Sequence, residues 1–174
     1  DLTPVADQIE IITKIVPDAK TVGILYSAGE ANSRLQAELA MQAAQELGLE
    51  ATEFTVSETN QVQQVTQTAV SQVDALYVPT DNMMASSMPI IATIAMENGI
   101  PLVGAEEGHV DNGALIKYGI NYFELGKQTA EMAVRVLEGD APADMPIEYQ
   151  TSFELKVNEE TREALGIEIP DDLG

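Results

Sequence analysis

Apolar residues along this chain come in two alternating textures. Short unbroken runs at 21–26, 51–56, 75–78, 101–105 and 114–118 have the length and composition of buried strands. Between them lie longer stretches with an apolar residue every three or four positions, the period of an amphipathic helix. In the first of these, Thr3 is placed to cap and Pro4 to occupy the first helical position. Val5, Ile9, Ile12 and Val16 then share a face, and Pro17-Asp18 ends the helix. After the 21–26 run and the polar loop 27–31, Asn32-Ser33 reads as the cap of a long helix. Its Leu35, Leu39, Ala43 and Leu47 fall on one side, with Gly48 just beyond its end.

The unit then recurs. A cap region at 57–60 precedes a helix over 61–71 carrying Val62, Val65 and Ala69. The helix ending at Asn98-Gly99 contains Pro89, which costs roughly 3 kcal/mol inside a helix, so the pattern places its start at Ser86 or Ser87. An amphipathic helix over 121–137 stops at Gly139. Pro142 and Pro146 break the pattern, after which 152–157 reads as an edge strand and Asn158 as the cap of a short helix to Leu165, in a tail running down to Asp172. Residues 1–139 are thus expected to form one lobe and 140–174 an added tail.

Strands alternating with helices at this spacing are joined by crossovers. The expected fold is therefore α/β, a doubly wound, mainly parallel sheet with helices on both faces. In such sheets ligands bind beyond the carboxyl ends of the strands, where strand-to-helix loops converge. Pro79 cannot extend the 75–78 strand, so Thr80, Asp81 and Asn82 sit at that edge. Ser27, Glu30, Asn32 and Ser33 follow the first strand, and Glu106 and Glu107 the fourth. Asp81 and Glu106 are carboxylates suited to a ligand ammonium group, with Asp81 the expected seat and Glu107, more loop-like, the weaker contributor. Tyr26 and Tyr77 are placed to give an apolar wall, although each residue type is more often core.

Composition narrows the partners. With 29 acidic against 8 basic residues and a net charge of −21, the surface repels nucleic-acid phosphate and anionic lipid. The carboxylates are dispersed, which fits a solvated acidic surface better than a metal store. There is no cysteine and no run of about 18 apolar residues. His109 is the single histidine, which excludes a multi-histidine metal site, and it reads as a surface loop residue. Gly126-Lys127 lacks both the following Ser or Thr and the first Gly of a phosphate loop. Asp81 with Lys117 invites comparison with a phospho-accepting receiver, but no acidic pair follows the first strand. No catalytic residue, cofactor or metal is expected.

Taken in order, the stretches 1–5, 17–23, 29–33, 77–82, 101–108 and 113–126 resemble the substrate-binding proteins of ABC importers that include the tryptophan/tyrosine-type binders. These form a branch of the type I periplasmic binding fold. The resemblance implies a non-enzymatic, extracytoplasmic receptor that closes two lobes around a small molecule, an amino acid, and presents it to a membrane permease. It also implies that this chain is the portion after the first hinge crossing, without the amino-terminal lobe, signal or lipid anchor. The segment like 114–137 commonly returns to the other lobe, which leaves its seat open between this lobe and a partner chain. The competing class is the effector-sensing lobe of a transcriptional regulator, with a flavodoxin-like enzyme third.

Overall fold

The computed structural model describes residues 3–170 and Leu173. Asp1 and Leu2 of the first matched stretch, and Asp171 and Asp172 of the tail, lie outside the described residues. Five parallel strands, β1 (Thr21–Ser27), β2 (Glu50–Val56), β3 (Ala75–Val78), β4 (Leu102–Gly104) and β5 (Ile116–Gly119), stand in the order β2-β1-β3-β4-β5. A sixth, β6 (Glu154–Val157), adds antiparallel to β5 at the edge. The expected mainly parallel, doubly wound sheet is therefore what forms.

Two apolar layers hold it. Helices α1 (Val5–Ile15) and α2 (Ala31–Glu46) cover one face, with Ile9, Ile12, Ile24 and Tyr77 in a single core. Helices α3 (Val62–Val70) and α4 (Asn82–Glu97) cover the other, around Leu25, Leu76, Met84 and Met88. Burial on both faces explains why the β1 and β3 runs are unbroken and do not alternate. At Gly23 a side chain would begin 2.7 Å from Leu76 Cδ2 and 3.1 Å from the Phe54 ring, so the absence of a Cβ sets how closely this layer packs.

Four helix expectations are corrected. Helix α1 starts at Val5 with Pro4 as the capping residue and no side-chain cap, because the Thr3 hydroxyl turns inward to Gln8 Oε1 at 3.3 Å. Helix α2 starts at Ala31, with Glu30 at its cap position, so neither Asn32 nor Ser33 is a cap. Its buried face is also not the leucine stripe. Ser33, Gln36, Ala37, Ala40, Ala43 and Ala44 face inward, while Leu35, Leu39 and Leu47 are 52%, 37% and 42% exposed. Small side chains let α2 lie close against the isoleucine-rich α1, and that contact decides the rotation. Finally, α4 starts at Asn82, capped by Asp81, and accommodates Pro89 within it because Met84 and Met88, in the turns before the proline, are buried in the core.

The remaining elements sit toward the carboxyl edge. Helix α5 (Glu107–Asp111) packs over β4 and β5, and α7 (Glu159–Leu165), capped by Asn158 as expected, packs on α4. The run at 114–118 stays in this lobe: Ala114, Leu115 and Ile116 are fully buried. Helix α6 (Tyr122–Glu138) behaves differently, since none of its residues is buried.

Asp74 ties the entrance of β3 to that of β1. Its Oδ2 accepts the N–H groups of Lys20 and Thr21, both at 2.9 Å, and the Thr21 hydroxyl at 2.8 Å. The Lys20 N–H and then the Thr21 donors hold this carboxyl below its usual 3.8. A depressed folded value means the stabilisation is complete above the unfolded value and is lost as pH falls through the folded one. Asp74→Asn is therefore expected to lower stability at pH 7 by about 1 kcal/mol, a modest figure because the group is exposed. Urea titrations at pH 7 and below pH 3 check this: the gap between variant and parent should close in acid.

Candidate functional site

Strand order places the site. From β1 the chain crosses through α2 to β2 on one side, and from β3 it crosses through α4 to β4 on the other. The loops after β1 and β3 therefore part above the sheet, and such a switch point opens a crevice at the strands' carboxyl ends.

Asp81 spans that crevice floor. Its Oδ2 accepts Ser27 N–H at 2.7 Å and its Oδ1 accepts Met84 N–H at 2.9 Å, so one carboxylate joins the end of β1 to the start of α4. Glu30 reaches over from the β1 loop. Its Oε2 accepts the backbone N–H of Asn82 at 3.1 Å and the Asn82 amide at 2.8 Å, while Oε1 accepts Met83 N–H at 3.2 Å. Burial alone would raise the Glu30 carboxyl, but the Asn82 and Met83 donors outweigh it and hold it low. In return, Asn32 Nδ2 and Ser33 Oγ both donate to Thr80 O at 3.0 Å. Thr80 donates its N–H and its hydroxyl to Gln36 Oε1, both at 3.1 Å.

Seven of the predicted site residues, Ser27, Glu30, Asn32, Ser33, Thr80, Asp81 and Asn82, thus belong to one network stitching the two loops together. The assignment of Asp81 to a ligand ammonium is at odds with this geometry. The residue is 2% exposed and each oxygen already holds a backbone N–H, so its work is capping and bracing. Placing the start of α4 at Ser86 or Ser87 concealed that role; an Asp immediately before a helix start is a strong cap signal. Gln36, 2% exposed, had no distinguishing pattern in the sequence beyond a polar residue on what proves to be the inward face.

The tyrosines line no crevice wall. Tyr77 is fully buried and donates its hydroxyl to Gln8 Oε1 at 2.7 Å, with burial raising its pKa. Tyr26 is 5% exposed and donates to Glu53 at 2.7 Å; burial and that carboxylate push it up to about 12.

Glu106 and Glu107 form a second cluster. Glu107 pairs with Lys156 at 2.6 Å, and Asp111 shares the same ammonium at 2.7 Å, which straps α5 onto β6. Lys117, directly opposite Lys156 in the β5–β6 pair, is 1% exposed, and desolvation lowers its pKa. Glu106 Oε1 lies 3.2 Å from His109 Nε2, and its Oε2 accepts the Tyr122 hydroxyl at 3.3 Å. His109 is fully buried rather than on a surface loop, seated against Gly104, where a Cβ would come within 2.5 Å of His109 Cβ. The ring holds the Glu106 carboxyl below its ordinary range against burial, and the Tyr122 hydroxyl adds to this. Of the predicted carboxylates here, Glu106 is the one whose second oxygen meets a hydroxyl, that of Tyr122, a residue 43% exposed.

A mainly parallel sheet in this order, with an antiparallel edge strand and helices on both faces, is the architecture of a type I periplasmic-binding-protein lobe. The chain belongs to the ABC transporter substrate-binding protein family, whose model matches residues 1–174. It is 37% identical over 168 residues to a tyrosine-binding protein of Clostridioides difficile, covering 97% of this chain and 49% of that one. A Streptococcus pneumoniae ABC domain solved in complex with L-Trp is 34% identical with a TM-score of 0.90, over 98% of this chain and 58% of that one. The ligand-free, open structure of a Clostridium difficile substrate-binding protein with adhesive properties is 41% identical with a TM-score of 0.82, over 99% and 58%. The chain spans about half the length of the curated relatives it matches.

The bracing role of Asp81 has a direct test. Asp81→Ala would leave the N–H groups of Ser27 and Met84 buried without acceptors and is expected to cost about 2–3 kcal/mol. Chemical denaturation of the chain measures it; a loss below about 0.5 kcal/mol would remove Asp81 from the centre of the network.

Proposed function

We propose that this chain is one lobe of the solute-binding component of an ABC importer. In the whole protein it captures an aromatic amino acid between two lobes, outside the cytoplasm, and delivers it to a membrane permease without chemistry of its own. The observation that carries the reading is the match to a tyrosine-binding protein across nearly the entire chain. The rim described above supports it, because the loops that a closing lobe would press upon are already cross-braced.

Helix α6 and the segment after it are assigned to the other lobe. Phe123 is 74%, Leu137 86% and Ile147 79% exposed, an apolar surface suited to packing against the part of the protein that lies beyond this lobe. The linker region around Pro142 and Pro146 then belongs to the return crossing, and β6 with α7 to this lobe.

Glu106 replaces Asp81 as the proposed seat of the ligand ammonium, and the proposed contacts for its carboxylate are Asn32 and Asn82, whose amides each carry a second N–H beyond the one given to Thr80 or Glu30. In the full-length protein, Glu106→Gln preserves shape and removes charge. It is expected to weaken L-tyrosine or L-tryptophan binding by roughly ten- to a hundred-fold, equivalent to about 1.5–3 kcal/mol. Titration calorimetry tests the assignment, and unchanged affinity would refute it. The isolated chain, offering half the contacts and no exclusion of water, is expected to show no micromolar binding; micromolar affinity would refute the half-site reading.

A further inference from the structure

We propose that Glu106 is a latch between ligand and hinge: its outer oxygen serves the Tyr122 hydroxyl in one state and the ligand ammonium in the other, with His109 as the positioning residue that keeps the carboxylate in place. This rests on the ammonium assignment made above. The geometry separates the two ends of the carboxylate. Oε1 is against His109, a fully buried ring with Gly104 at its back, so that side has no freedom to swing. Oε2 faces outward and accepts from Tyr122, the first residue of α6.

What Tyr122 is attached to gives the contact its leverage. Just before it, Asn121 exchanges two hydrogen bonds with Gln150: its N–H donates to Gln150 Oε1 and its C=O accepts from Gln150 Nε2, both at 3.1 Å. Asn121 Nδ2 also donates to both oxygens of Glu154 at 3.0 Å. The outgoing and returning chains are thereby clasped at one level, while α6 beyond them buries no residue in this lobe. A helix leaving a clasped crossing can rotate about it, and Tyr122 on its first turn moves against Glu106 as it does.

The exchange favours the ligand. A 3.3 Å contact from a neutral phenol is longer than the 2.5–2.7 Å of a strong O–H···O⁻ bond, whereas an ammonium brings full charge to the same oxygen. Ligand entry therefore competes with Tyr122 for this oxygen and weakens its hold on the first turn of α6, which gives the ligand the differential interaction with two states that any induced closure requires.

The test uses the full-length protein with spin labels on the two lobes, and L-tyrosine and L-tryptophan as probes. Tyr122→Phe removes the competitor. It is expected to shift the unliganded interlobe distance distribution and to tighten binding about two- to ten-fold. His109→Leu should loosen Glu106 and weaken binding about ten-fold, with His109→Gln, which retains an N–H donor, recovering most of it, while denaturation midpoints report any purely structural loss. An unchanged distance distribution in Tyr122→Phe overturns the latch without reference to ligand. So does unchanged or weaker binding in Tyr122→Phe when Glu106→Gln has lost affinity, and in that case the ammonium assignment stands. If Glu106→Gln binds as the parent does, the assignment itself fails and the latch with it.

Discussion

Two hydrogen bonds from one carboxylate hold the working edge of this lobe in place. Asp81 joins the end of β1, through Ser27, to the first turn of α4, through Met84, at the point where the chain's connections diverge to opposite faces. Divergence alone would leave two loops with unpaired backbone donors around a gap. The buried carboxylate satisfies one donor from each side, and Glu30 and Gln36 then complete the seam from above and below. Because the interaction is charge-assisted and out of water, it is hard to replace by a neutral group of the same shape.

That brace also explains why acidic residues at this edge divide in purpose. Asp81 is consumed by backbone donors of β1 and α4 and Glu30 by those of α4, and neither can turn outward without exposing them. Glu107 is held in the strap on Lys156. Glu106 is the carboxylate with one oxygen 3.2 Å from the buried His109 ring and the other accepting the Tyr122 hydroxyl. Charge count along the sequence does not distinguish these; partner geometry does.

Much of the fold was legible because it depends on run length and period. The unbroken runs that became β1, β3 and β4 are buried on both faces, and Gly48, Gly139 and Asn158 end or begin helices where their chemistry says they should. The failures have a common cause, a local rule overridden by a tertiary contact. Pro89 argued for a late start to α4, yet the Asp81 cap together with core burial of Met84 and Met88 outweighs its cost. Leu35, Leu39 and Leu47 looked like a core stripe, yet an alanine face lets α2 come nearer to α1. His109 looked like a loop residue because neither its burial nor its seat on Gly104 leaves a trace in spacing. At the site, sequence brought the right loops together but could not tell a capping carboxylate from an available one.

The pairing of β5 with β6 has a topological consequence. Gly119 stands directly opposite Glu154 in an antiparallel ladder, so the chain leaves the sheet and rejoins it at adjacent positions. Strand ends so placed in an antiparallel pair are within reach of a tight two-residue turn. The sheet is therefore complete without the excursion, and everything from Ile120 to Phe153 amounts to a greatly enlarged hairpin loop. A protein built this way can exchange or reshape the portion carried by that loop while the lobe beneath keeps its strand order, its core and its braced rim.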